Sequence, residues 1–242
     1  ERREIERERI RANLLRAVSH DLRTPPTTIY ASASALLEDE TLGEEKRRRI
    51  LVGIKEDAEW LTRMVENLLS VTRIGAGQVK LIKTPVVPDE LIDSVVGKFK
   101  KRYPAYDVQV ELPTDIVFIP MDSMLIEQVL LNLLENAVQH AVGMTELRLR
   151  VSVHGKDVVF EVEDNGCGIP PDALPGIFSG TQRPRDTPPD GSKHSTGIGL
   201  SVCATIVRVH GGSISVKNAP GGGAIFRFSL QIEEADHEQQ QI

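Results

Sequence analysis

The chain has 242 residues, 26% of them charged, and a formal net charge of -6 at neutral pH. That length can bury the core of one large or two modest domains, while the acidic balance argues against nucleic acid as the main partner. No apolar run approaches membrane-spanning length, and Cys167 and Cys203 are too far apart to suggest a metal motif, which leaves them as ordinary small residues of a reducing compartment.

Residues 1 to about 38 read as one helix that opens inside a charged pattern, ERREIERERIRANLL, as if entering from further upstream. Leu15, Val18, Leu22, Ile29, Ala33 and Leu36 fall in steps of three, four and seven and form one buried stripe. His20, in SHDLRTP, lies off that stripe, about 200° around the helix from Val18, and should face solvent. Asp21 is its neighbour, and Thr24 shares its helical face one turn on. Imidazole is a neutral nucleophile near pH 7, and a carboxylate that accepts the proton of one ring nitrogen leaves the other free to attack. Pro25 and Pro26 predict a bend directly after the histidine.

The polar turn Glu38 to Gly43 leads to a second helix, about Glu44 to Ile74, with Leu51, Ile54, Ala58, Leu61, Val65 and Leu68 forming a coiled-coil seam. A single hairpin buries such stripes on one side only, so two copies are expected to pair into a four-helix bundle, making this segment a dimerisation module. Gly75 to Gly77 begin a linker. Beyond it the pattern predicts a strand at Val79 to Ile82, a helix from Pro88 to about Lys101, and strands at Val108 to Leu112 and Ile116 to Ile119. Asp122 should cap a helix from Ser123 to about Ala141, before a β-hairpin formed by Glu146 to His154 and Val158 to Asp164. A short helix near Asp172 to Phe178 precedes SGTQRPRDTPPDGSKH, which is expected to be a mobile loop. Helix returns at Ile198 to His210, then strands at Ser213 to Lys217 and Ala224 to Ile232, then a tail expected to be disordered. The fold class is α+β: a helical hairpin followed by a sheet with helices on one face.

Several polar residues sit where these elements should bury apolar ones. In NLLENA, Asn132 and Asn136 share a helical face with Glu135 beside them, an arrangement able to hold a hard cation such as Mg²⁺ or to remain a solvated face. Asp164 ends a strand and is followed by Asn165, Gly166, Cys167, Gly168 and Ile169; a carboxylate backed by two glycines suits an exocyclic amine such as that of adenine. Thr196, Gly197, Ile198, Gly199 and Leu200 join the loop to a helix start, where free amides favour phosphate.

SHDLRTP, NLLENA, DNGCGI, TGIGL and GGGAIF, in that order, resemble the H, N, G1, G2 and G3 boxes of bacterial two-component sensor histidine kinases. NLLRAVSHDLRTP and ENLLSVTR are most similar to the potassium-responsive Kdp-type group of that family. The resemblance implies a dimeric histidine phosphotransfer domain at residues 1–77 and a Bergerat-type (GHKL) ATP-binding sandwich at 78–242, with a lid at 179–195 and a tail at 233–242. It implies His20 as phosphoacceptor, Asp21 as its acid/base partner and Thr24 in positioning water for phosphatase chemistry. ATP would be bound through Asn132, Glu135, Asn136, His140, Asp164, Gly166, Gly168, Ile169, Phe178, Arg183, Thr196, Gly197, Gly199 and Leu200, with Asn132 as the Mg²⁺ ligand. It further implies a homodimer, a response regulator receiver domain of KdpE-like kind as partner, and a cytoplasmic location within a bacterial cell-membrane sensor. The glycine linker would then act as a hinge that sets the distance between nucleophile and nucleotide.

The chain departs from the family pattern at Pro26, Thr181, Ser195, Ala224 and Gln139. Gln139 stands where the N box usually carries lysine, which removes a cation from the phosphates; Arg183, Arg185 or Lys193 of the lid are expected to replace it. Two other readings remain at this level: a degenerate kinase acting as a dimeric nucleotide-binding scaffold, and a Bergerat-fold ATPase of another class.

Overall fold

The computed structural model describes residues 24–39, 41–75, 81–178 and 198–232. His20, Asp21, Arg183, Arg185, Lys193, Thr181, Ser195, Thr196, Gly197, the linker beyond Gly75, the lid and the tail lie outside the described residues. So does the bend expected after His20.

Two helices come first, α1 (Thr24–Glu38) and α2 (Glu44–Gly75), which pack against each other. Pro25 and Pro26 lie in the first described turn of α1. Asp39 ties the turn between the helices: its Oδ1 accepts from the Thr41 amide at 3.0 Å and the Thr41 hydroxyl at 2.6 Å. These bonds hold its carboxyl below its ordinary value.

The expected seam is left largely open in the single chain. Leu51 and Val65 are 51% and 46% exposed, whereas Ile54 and Leu61 are partly covered. An adjoining face of α2 carries Asp57, Trp60 and Met64, all buried.

The remaining elements are β1 (Thr84–Val86), α3 (Pro88–Arg102), β2 (Gln109–Glu111), β3 (Ile119–Met121), α4 (Ser123–His140), β4 (Leu147–His154), β5 (Asp157–Asp164), α5 (Ile198–Val209), β6 (Ser213–Asn218) and β7 (Ala224–Gln231). The main sheet has five strands in the order β2-β4-β5-β7-β6, with only β2 and β4 parallel. β1 and β3 form a separate antiparallel pair, Thr84 opposite Met121. Trp60 and Met64 belong to the same apolar cluster as the sandwich core, and α2 packs on α5.

Strand periodicity explains the layers. Leu147, Leu149 and Val151 of β4 and Phe226, Phe228 and Leu230 of β7 point to one face and are buried, with Phe160 stacked on Phe228 at 4.7 Å between ring centroids. The alternate positions carry a row of charges across four strands: Glu111 to Arg150 at 2.6 Å, Arg150 to Glu161 at 3.3 Å, and Glu161 to Arg227 at 3.9 Å. Solvent-facing pairs of this kind contribute little each, but they make the second face of the sheet unsuitable for an apolar cover.

Three elements differ from the sequence reading. The first strand lies at Thr84–Val86, and residues 81–83 are not strand, because its position follows from pairing with β3. β3 begins at Ile119, later than expected: Ile116 and Phe118 are exposed and Ile119 and Met121 buried. The helix expected near 172–178 shrinks to a single 3-10 turn, Leu174–Gly176. Pro170, Pro171 and Pro175 leave that segment too few amide donors for an α-helix.

Candidate functional site

The site is built along α4. Asp122 caps the helix, its side chain accepting from the Leu125 amide at 3.2 Å. Ile126, Val129, Leu130, Leu133, Leu134 and Ala137 fill one face and are buried in the core; each large apolar side chain so placed contributes about 1.5–3 kcal/mol. Asn132, Glu135, Asn136 and Gln139 fall on the opposite face, at steps of three, one and three. That face is polar yet not solvated in the ordinary way: Glu135 is buried, and Asn132, Asn136 and Gln139 are partly covered.

At the C-terminal end of α4 stands the loop that follows β5. Asp164 is buried, and its Oδ1 accepts from the Gly166 amide at 2.9 Å. Gly166 is needed for close approach, because a Cβ there would fall 2.6 Å from the Ala141 Cβ. The thiol of Cys167 donates to the His140 carbonyl at 3.5 Å, which ties the loop to the end of the helix; the His140 side chain is exposed. Gly168 has a φ of +74°, and Ile169 follows, its amide donating to Asn218 Oδ1 at 2.8 Å. Asn218 Nδ2 returns a bond to the Ile169 carbonyl at 2.8 Å. From behind, Gly223 packs so closely that a Cβ would lie 1.9 Å from the Asp164 carbonyl oxygen. Asn165 points elsewhere and clasps the start of β4, accepting from the Thr145 and Glu146 amides at 2.8 and 2.9 Å. Phe178 packs edge-on against Phe226 at 6.3 Å, fixing the end of the segment after the loop.

At the middle of α4 stands the start of α5. A Cβ on Gly199 would lie 4.0 Å from the Asn132 side-chain carbon, so the two helices meet there with the amide group between them. Leu200 and Cys203 are buried directly behind. The Cys203 thiol hydrogen-bonds with the Asn132 side chain, and burial pushes its pKa up to about 12, so it stays protonated. From Asn132 to Ala141 is nine residues, or about 13 Å along the helix. The carboxylate and glycine loop at one end and the Gly199 approach at the other therefore stand about 13 Å apart along one helix.

The third side of this face comes from the end of α3. Arg102 Nη1 donates to Glu135 Oε1 at 2.9 Å, and its guanidinium lies 5.8 Å from the Tyr103 ring centroid. The Tyr103 hydroxyl hydrogen-bonds with Gln139; burial first, then the Glu135 charge, pushes its pKa up to about 12.

Of the sequence-predicted residues, Asn132, Glu135, Asn136, Gly199 and Leu200 come together around the middle of α4. Asp164, Gly166, Gly168, Ile169 and the His140 carbonyl come together at its end. Thr24 is the first described residue of α1; His20, Asp21, Arg183, Thr196 and Gly197 lie outside the described residues. Arg102, Tyr103 and Asn218 were not anticipated. A basic residue in the last turn reads as a complement to the helix dipole and an asparagine before Ala-Pro-Gly as a turn residue, so neither pattern names its distant partner. Among the described residues, no group of three His, Cys, Asp or Glu side chains is placed to hold a metal ion, and no helix is long and apolar enough to cross a membrane. The residue of this face that would offer a hard cation such as Mg²⁺ an oxygen ligand is an amide such as Asn132.

Residues 10–77 match the family described as "His Kinase A (phospho-acceptor) domain". Residues 121–234 match "Histidine kinase-, DNA gyrase B-, and HSP90-like ATPase". The chain is 42% identical over 95% of its length to the sensor protein KdpD of Clostridium acetobutylicum, covering 26% of that protein. It is 37% identical over 95% of its length to KdpD of Escherichia coli K12, covering 25% of it. The chain thus spans about a quarter of the length of these curated relatives. In fold it is similar to the crystal structure of the histidine kinase ThkA in complex with the response regulator protein TrrA: TM-score 0.72, 24% identity, 96% of this chain and 65% of that one.

Proposed function

The chain belongs to the sensor histidine kinases, and on that premise we propose that it transfers the γ-phosphoryl group of ATP to His20 and then to an aspartate of a response regulator. The observation that carries this reading is the two-ended polar face of α4, with Asp164 and Gly166 at Ala141 and Gly199 at Asn132. A base amine donates to the Asp164 carboxylate, the glycine loop admits the ring, and the phosphates run along α4 towards Asn136, Asn132 and the start of α5. Asn132 would hold Mg²⁺, which would supply neutralisation of the phosphate charge.

At the other unit, Asp21 accepts the proton of one imidazole nitrogen of His20. The second nitrogen attacks the γ-phosphorus, the bond to the bridging oxygen breaks, and ADP leaves with that electron pair. Phosphoryl transfer demands alignment and charge neutralisation more than covalent assistance, which suits a nucleophile and a nucleotide carried on separate units, residues 1–77 and 78–242. Thr24 orients water for removing phosphate from the regulator.

The open seam of α2, with Leu51 and Val65 exposed, supports a homodimer paired through the hairpin. The likeness to Kdp-type relatives supports a KdpE-like receiver domain as partner and a place on the cytoplasmic side of a membrane-bound sensor. The test is incubation with Mg²⁺ and γ-labelled ATP, followed by acid and alkali treatment. Label that is acid-labile, alkali-stable and lost in His20→Gln is the expected result. A normal dimer that binds ATP and takes no label would mark it as a scaffold instead, and label on serine would mark another ATPase class.

A further inference from the structure

Arg102 and Tyr103, at the C-terminus of α3, are left without a role by the nucleotide reading. Glu135 is a buried carboxylate on the same face of α4 as Asn132 and Asn136. If a polyphosphate lies along that face, it passes a negative charge that burial makes less screened than a surface one. Nothing on α4 itself offers a compensating cation there, since the next turn of the face presents the neutral Gln139. The cation comes from a different element. Arg102 reaches Glu135 at 2.9 Å, with side-chain exposures of 33% and 11%. Its neighbour Tyr103 bonds Gln139 and lies under the guanidinium at 5.8 Å from the ring centroid, so Gln139, Tyr103, Arg102 and Glu135 close one circuit between the end of α3 and α4.

We propose that Arg102 is a positioning residue for the nucleotide phosphates: it cancels the Glu135 charge and holds that side chain against α3, doing from outside the N-box helix the electrostatic work of a lysine at position 139. This rests on the reading of α4 as an ATP site. It adds an anchor that is independent of Arg183, Arg185 and Lys193. Two distinct signatures follow. Loss of Arg102 should weaken ligands in proportion to their phosphate charge and leave uncharged adenosine nearly untouched, because adenosine carries no phosphate for the Glu135 charge to repel and its base end lies near Ala141, about 9 Å along the helix from Glu135. A cation returned at position 139, one turn from Glu135 on the same face, should restore what was lost.

The experiment is calorimetric titration of ATP with Mg²⁺, and of adenosine alone, into the wild type, Arg102→Met, Arg102→Lys and the double variant Arg102→Met/Gln139→Lys. The expected result is a rise of about tenfold or more in the ATP dissociation constant of Arg102→Met, an adenosine constant changed less than twofold, and recovery of most ATP affinity in the double variant. Arg102→Lys, which keeps the charge but not the planar fork, should lose severalfold at most. Equal loss of ATP and adenosine, or failure of Gln139→Lys to restore ATP binding to a variant that still binds adenosine, would reduce Arg102 to a packing residue and overturn the proposal. Unchanged ATP affinity in Arg102→Met would also overturn it while leaving the ATP site intact. A wild type that binds no ATP would remove the parent reading and the inference together.

Discussion

Asp164 and Gly223 show how much the base end of the site depends on single atoms. Asp164 is buried and already bonded to the Gly166 amide, so its carboxylate is held in one place before any ligand arrives. Asp164→Asn replaces two acceptor oxygens by one and adds a donor. The expected loss is one charge-assisted bond to the base, about 1.5–3 kcal/mol, or roughly tenfold to a hundredfold in ATP affinity, with an unchanged melting curve. Titration of both proteins with ATP checks it. Gly223 works through space instead: its φ is +88° and an added Cβ would meet the Asp164 carbonyl at 1.9 Å. Gly223→Ala should cost about 2 kcal/mol or more through backbone strain and overpacking, visible as a melting midpoint lowered by several degrees. The sequence made Asp164 and the glycines legible because a carboxylate and two glycines after a strand are unusual together. It did not reveal Asn218, which grips both backbone groups of Ile169 from 49 positions away in the chain.

At the scale of elements, α4 is where sequence and structure agree most closely. Its cap, length and two-faced pattern were all readable, because an 18-residue helix gives periodicity room to repeat. The three-residue strands β1, β2 and β3 do not give it that room, and pairing rather than pattern sets their ends. His210 illustrates the same limit. A lone histidine after a helix reads as nothing in particular, yet it is buried and locks α5 to α4. Its Nδ1–H donates to the Ile206 carbonyl at 2.8 Å, and Nε2 accepts from the Asp122 amide at 3.1 Å. Burial lowers its pKa below the usual 6.5. The unfolded chain therefore protonates first as pH falls, so the contribution of neutral His210 is complete above about pH 7. It declines below pH 6.5, by up to about 1.4 kcal/mol per pH unit, until the folded pKa is passed. Thermal melts from pH 7.5 to 5.5 should show the wild type losing more stability than His210→Asn; parallel curves would count against this role.

The molecule as a whole joins a helical hairpin to a sandwich through one apolar cluster, since Trp60 and Met64 of α2 are buried with the core beside α5. The hairpin thus uses two faces of α2. The Trp60 face serves the sandwich of its own chain, and the Leu51 and Val65 face is left open. The sequence identified the open face, because its heptad-like spacing is a strong signal. It missed the Trp60 face, because three residues at helical spacing match many surfaces. If the open face is the dimer seam, Leu51→Glu with Val65→Glu should convert a dimer into a monomer in sedimentation, while ATP affinity stays within about twofold because α4 lies outside the seam.

Phosphoryl transfer to His20 depends on where ATP lies, and the most direct test is a crystal structure of the chain with Mg²⁺ and a non-hydrolysable ATP analogue. The base amine is predicted within hydrogen-bond distance of Asp164, the phosphates along α4, and the metal on the side-chain oxygen of Asn132. A nucleotide bound away from α4, or along it with its base at Asn132 and its phosphates at Asp164, would contradict the account.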